Sequence, residues 1–138
     1  MLSKHPSKCR YPHGHTRKVE FTLEAEELDR NDMVCDFKIV EEIIGDYLEV
    51  LDHAMCMNTA DPAYDELRAR YGDRIVPFEE EDPTTEVMAR VIFQVFSKRL
   101  GDYAMRGGHR YPLRASVRLV AVRVWETASS WAEYLPPR

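Results

Sequence analysis

Cys9, His13 and His15 fall in one short run, Cys9-Arg10-Tyr11-Pro12-His13-Gly14-His15. In an extended chain residues i and i+2 point to the same side, so both imidazoles converge on one point. Two nitrogens so placed can serve Zn²⁺, whose catalytic sites usually take three protein ligands with one position left open, although His-x-His alone is a weak signal. Cys9 can serve as a further ligand, or as a thiolate beside the positive charges of Lys8 and Arg10.

Two other groups have matching chemistry. Asp52 and His53 close an amphipathic segment, where a helix C-terminus favours a positive charge and an adjacent carboxylate can orient the ring. Glu126 follows Trp125 at the end of an apolar run. Taken alone, each also reads as an ordinary solvent-facing polar group.

The elements that must position these groups are legible from periodicity. Over residues 13–25, Val19, Phe21, Leu23 and Ala25 alternate with Lys18, Glu20, Thr22 and Glu24, which predicts a half-buried strand. His13 and His15 share the parity of the apolar set. From Phe37 to Ala54, Phe37, Val40, Ile44, Tyr47, Leu48 and Leu51 recur at three and four, which predicts a helix with Asp36 as its N-cap. Residues 58–82 read as a long loop with a short helix over Tyr64 to Tyr71 and an acidic end. Pro83-Thr84-Thr85-Glu86 opens a second long helix, with Thr84 as N-cap and Glu86 in the favourable first turn. Its predicted buried stripe is Val87, Val91, Ile92, Val95 and Phe96. Gly101, Gly107, Gly108 and Pro112 are read as breaks. Ala115 to Trp125 is a second strand, with Val120, Val122 and Val124 on one face. The class is α+β, with helices on one face of an antiparallel sheet. Two clear strands are few for two long helices, so Ala104 to Tyr111 is a candidate third, or neighbouring subunits extend the sheet.

Composition narrows the function classes. The chain has 138 residues, enough for one domain spanning 1–138, and is 44% apolar and 31% charged. A net charge of −5 argues against a general nucleic-acid binder. No apolar run approaches the roughly 20 residues that cross a bilayer, and the first residues lack the apolar centre of a secretory signal. A cytoplasmic location is the default expectation. Cys9, Cys35 and Cys56 then read as free thiols. Between Met1 and Val19 stand Lys4, Lys8, Arg10, Arg17 and Lys18 with no carboxylate. This is either a solvated basic end or a place for an anionic group beside the histidines.

The ordered set Cys-x-x-x-His-Gly-His, Leu-Asp-His closing a helix, Pro-Thr-Thr-Glu opening another and Trp-Glu-Thr after a strand resembles the 6-pyruvoyltetrahydropterin synthase / 6-carboxytetrahydropterin synthase family. The resemblance runs from about Ser7 to Tyr134. It implies the tunnelling fold: an antiparallel sheet with two helices on one face, joined through edge strands into a homo-oligomer, commonly a hexamer, with active sites between subunits. It implies Zn²⁺ on His13 and His15 and a catalytic set of Cys9 as general base with Asp52 and His53. Glu126 is implied as the anchor of the pterin ring, with Thr85 and Glu86 as further substrate contacts. The substrate would be 7,8-dihydroneopterin triphosphate, and the basic stretch from Lys4 to Lys18 is a candidate for its phosphates. No nucleic-acid or membrane partner is implied.

The sequence departs from the family at its start. The third zinc histidine of the family lies on an N-terminal strand more than ten residues before the cysteine, and Met1 to Cys9 resembles the loop after that strand. The expectation is a chain without its N-terminal strand and third ligand, with His5 as a possible substitute. The leading reading is a zinc-dependent lyase forming 6-carboxy-5,6,7,8-tetrahydropterin on the queuosine route. The alternatives are 6-pyruvoyltetrahydropterin formation by triphosphate elimination, a non-catalytic pterin-binding or assembly module, and a purely structural zinc site.

Overall fold

The alternation before Ala25 folds as strand β1, Lys18–Glu24, and His13 and His15 lie in the extended segment that leads into it. The computed structural model describes residues 1–137. After β1 come α1 (Lys38–Leu51), β2 (Met55–Asn58), α2 (Tyr64–Tyr71), β3 (Ile75–Phe78), α3 (Thr85–Arg106), β4 (Arg118–Trp125) and β5 (Trp131–Tyr134). β1, β4 and β5 form an antiparallel sheet in the order β1-β4-β5, while β2 and β3 pair in parallel as a separate ribbon.

α1 and α3 supply the helical side of the core. Ile39, Ile43 and Ile44 of α1 meet Ile92, Phe93 and Phe96 of α3 over Leu119, Val122 and Val124 of β4. Phe96 is fully buried and meets Phe21 edge-on, with ring centroids 4.8 Å apart. Truncating such a ring to alanine costs about 3–5 kcal/mol. The expected α+β arrangement of helices on an antiparallel sheet is therefore present, with a third helix, α2, beside the parallel ribbon. No helix is long and apolar enough to cross a membrane.

Thr84 is the N-cap of α3 as expected, its hydroxyl accepting from the Val87 backbone N–H at 3.3 Å. At α1 the cap position falls on Phe37, and Asp36, one residue earlier, accepts from the Lys38 backbone N–H at 2.8 Å. These bonds satisfy N–H groups that a helix start leaves without partners.

Five other expectations need correction. Gly101 does not end the second long helix; α3 runs on to Arg106, because Leu100 and Tyr103 on either side of the glycine are buried. The chain turns out at Gly107 and Gly108, both at positive φ, where the absence of a Cβ matters. Ala104 to Tyr111 is consequently not a strand; the third strand is β5. The buried stripe of α3 is Met88, Ala89, Ile92, Phe93, Phe96, Leu100 and Tyr103, while Val87, Val91 and Val95 flank it half-exposed. On β4, Val120 leaves the expected face. The pairing with β1 slips between Thr22 and Leu23, so Leu119, Val122 and Val124 face the core instead. Within residues 58–82, the ribbon β2–β3 replaces much of the expected loop.

Candidate active site

The end of α1, the start of α3 and the end of β4 meet around a cavity of about 880 Å³. The segment from Met1 to Thr16 supplies another wall. Cys9 borders the cavity from a short turn over Lys8–Arg10, and His13 and His15 from the extended chain before β1. Asp52 and His53 reach it from the end of α1, Thr85 and Glu86 from the first turn of α3, and Glu126 from just beyond β4. The structure thus brings all eight sequence-predicted residues to one cavity.

The two imidazoles meet edge-on, with centroids 5.0 Å apart. His13 Nδ1 lies 2.7 Å from the Tyr11 carbonyl oxygen. A carbonyl only accepts, so Nδ1 carries the proton and Nε2 keeps its lone pair for a ligand. Burial pulls the His15 pKa below its ordinary value; Glu126 opposes this, while Arg17 and His13 add to it. A neutral imidazole is the form that binds a metal. The pair therefore suits zinc in donor type. Among the described residues, however, no three His, Cys, Asp or Glu residues gather closely enough to hold a metal ion. His5 lines the same cavity with its Nδ1 accepting from the Ser7 backbone N–H at 3.0 Å.

Glu126 is held from several sides. The Thr85 hydroxyl donates to its Oε2, His15 Nε2 stands 3.4 Å from Oε1, and Arg17 Nη1 lies 3.7 Å from Oε2. The Thr85 hydrogen bond, followed by the charges of Arg17 and the histidines, holds this carboxyl below the ordinary range against the opposing effect of burial. An ionised carboxylate offers only acceptors, which suits a ligand presenting two adjacent N–H groups.

Asp52 closes α1, its backbone N–H reaching the carbonyls of Leu48 and Glu49. His53 follows in the left-handed region, at φ +53°. Its Nδ1 is 3.0 Å from Asp52 Oδ2, and both side chains are exposed in the single chain. The carboxylate orients the ring and leaves Nε2 free for proton exchange.

Two cavity residues were not singled out as site residues by the sequence. Arg17, seen only as one of the basic stretch, donates from Nη1 to the Thr85 hydroxyl at 2.9 Å. Its place two residues after His15, beside a strand start, was the available signal. Cys56 of β2 also borders the cavity, but burial pushes its thiol pKa up, which makes it a poor nucleophile. The basic stretch does not gather into one anion site. Lys4 donates to the Glu80 carbonyl and Lys18 pairs with Glu20, whereas Lys8 and Arg10 remain exposed.

The family profile of 6-pyruvoyl tetrahydropterin synthase matches residues 1–137. A relative from Aquifex aeolicus, named 6-carboxy-5,6,7,8-tetrahydropterin synthase, is 34% identical over 93% of this chain and 76% of its own length. A protein of the same name from Rickettsia bellii is 28% identical over 62% of each chain. The crystal structure of an uncharacterized protein from Wolinella succinogenes superposes with a TM-score of 0.73, covering 94% of this chain and 81% of that one at 24% identity, a likeness of fold alone. With one cavity holding the family's residue types in order, and its profile matched across the described chain, this protein belongs to the 6-pyruvoyl tetrahydropterin synthase family.

Proposed function

We propose that this protein is a zinc-dependent lyase that converts 7,8-dihydroneopterin triphosphate to 6-carboxy-5,6,7,8-tetrahydropterin, on the route to queuosine. The observation that carries the reading is the convergence of Cys9, His13, His15, Asp52, His53 and Glu126, from three separate segments, on one cavity. The names of the Aquifex and Rickettsia relatives favour the carboxy product over the pyruvoyl one.

In this reading Glu126, kept ionised by Thr85, anchors the pterin ring, with Thr85 and Glu86 completing that end of the pocket. Cys9 takes a proton from the side-chain carbon beside the ring imine, and the Asp52–His53 pair returns one. Held by His13 and His15, zinc would supply Lewis acidity at the side-chain hydroxyls. His13 and His15 fit part of such a site and leave a further ligand to be supplied. A cytoplasmic homo-oligomer with sites shared between subunits is part of the same proposal.

The test is incubation with 7,8-dihydroneopterin triphosphate in the presence of zinc, with product analysis. Release of acetaldehyde together with 6-carboxytetrahydropterin supports the reading. Triphosphate release with 6-pyruvoyltetrahydropterin and no acetaldehyde assigns the sister activity. Tight pterin binding without turnover assigns a non-catalytic pterin-binding module, which the incomplete ligand set within the described residues would explain.

A further inference from the structure

Arg17 is a charged residue of the cavity without a role in the proposed reaction. Its side chain keeps 20% of its surface exposed, and one N–H donates to Thr85 Oγ1 at 2.9 Å. A guanidinium carries five N–H donors in a fixed plane. Among the described residues the others meet no hydrogen-bond acceptor, although Glu126 Oε2 lies only 3.7 Å from Nη1. Arg17 lines the cavity and is only partly covered, so the donors not used on Thr85 are open to an acceptor on a ligand.

The pattern made by the two side chains is specific. Glu126 presents two acceptor oxygens, and the Arg17 guanidinium stands beside Oε2, with Nη1 at 3.7 Å and the Thr85 hydroxyl bonded to both. The row therefore reads acceptor, acceptor, donor. The pyrimidine edge of a 2-amino-4-oxopteridine reads amino N–H, ring N3–H, C4 carbonyl: donor, donor, acceptor. The two rows are complementary.

We propose that Arg17 is a specificity-determining residue that donates to the C4 carbonyl of the bound pterin, while Glu126 accepts from its N3–H and 2-amino groups. This inference rests on the pterin reading of the cavity. It also fixes the sense of the ring: the C4 carbonyl lies on the Oε2 side and the 2-amino group on the Oε1 side. Arg17 is then no partner of the triphosphate, because the phosphate-bearing chain hangs from C6, at the other end of the bicyclic ring.

The test compares two probes that differ at a single atom. Pterin and its 2-amino-4-thioxo analogue offer the same two donors to Glu126, but sulfur is a weak acceptor for Arg17. Dissociation constants are measured for the parent, Arg17→Met and Arg17→Lys. The parent should prefer pterin to the thio analogue by about tenfold. Arg17→Met should weaken pterin binding by about 10–100-fold and lose the preference, and Arg17→Lys should recover part of both. A parent that binds both probes equally overturns the proposal without needing any variant. So does uniform weakening in Arg17→Met with the preference kept, which would leave Arg17 as a support for Thr85 and Glu126. If the parent binds neither probe, the pterin reading of the site fails and takes this inference with it.

Discussion

The Thr85 hydroxyl donates to the Glu126 carboxylate across a sequence separation of 41 residues, joining the first turn of α3 to the residue that follows β4. Thr85 itself is almost fully buried. This bond is the main reason that the Glu126 carboxyl sits below its ordinary pKa. Thr85→Val keeps the shape and removes the donor. Pterin binding should weaken by about tenfold, seen as a higher KM with kcat little changed, and Thr85→Ser should restore it. The sign of the pH effect follows. Glu126 acts when ionised, and losing the donor raises its pKa, so the acid limb of kcat/KM should move to higher pH. An unmoved limb and an unchanged KM would separate Thr85 from substrate binding.

Glu126→Gln replaces one of the two acceptor oxygens with an amide donor. Ligand affinity should fall by about 10–100-fold, the loss expected for a hydrogen bond to a charged group, while zinc content stays at the parent level. Equilibrium binding of pterin and elemental analysis on the same sample distinguish the roles. Lost zinc with retained pterin affinity would reverse them.

Cys9 sits half-exposed on a short turn and belongs to no buried cluster. Cys9→Ala should therefore leave the circular dichroism spectrum and the oligomer unchanged. Turnover should fall by about 10²–10⁴-fold, the range for a lost general base. Activity near the parent rate would take the base role from Cys9.

Asp82 fixes the N-terminal segment that carries Cys9 and the histidines. Its carboxylate accepts from the Ser3 hydroxyl at 2.5 Å, the Lys4 backbone N–H at 2.7 Å and the Asn58 amide at 2.9 Å, with only 7% of the residue exposed. Burial pushes its pKa up, but these hydrogen bonds outweigh burial and the net shift is downward. A carboxyl whose folded pKa lies below its unfolded one stabilises the fold fully above the unfolded pKa. That contribution disappears as pH falls through the folded pKa. Asp82→Asn should lower Tm at neutral pH, at a cost of about 1–3 kcal/mol, and flatten the acid side of the Tm–pH curve. Parallel curves for variant and parent would show that Asp82 contributes nothing specific there.

The helices and their caps were largely legible in the sequence, since three- and four-residue periodicity and the side chains of Asp36 and Thr84 are local signals. The misses have physical causes. Pro77 lies within β3 and argues against a strand; it is tolerated in a short two-stranded ribbon. β2, β3 and β5 have only four residues each, too few to show a period. Val120 lost the expected face because a bulge changes parity, which alternation alone cannot reveal. Within the site, the eight residues were visible from motif order, whereas the role of Arg17 emerged when β4 brought Glu126 beside it. That partnership spans more than a hundred residues, and the only local hint of it was the place of Arg17 two residues after His15.

The claim on which the rest depends is that the cavity is a working zinc site centred on His13 and His15. Elemental analysis of the protein exposed to zinc and then freed of loose metal, beside His13→Ala treated in the same way, tests it most directly. About one zinc per chain in the parent, falling towards zero in the variant, is the predicted result. No zinc above background in the parent, or the same content in both proteins, would contradict the account.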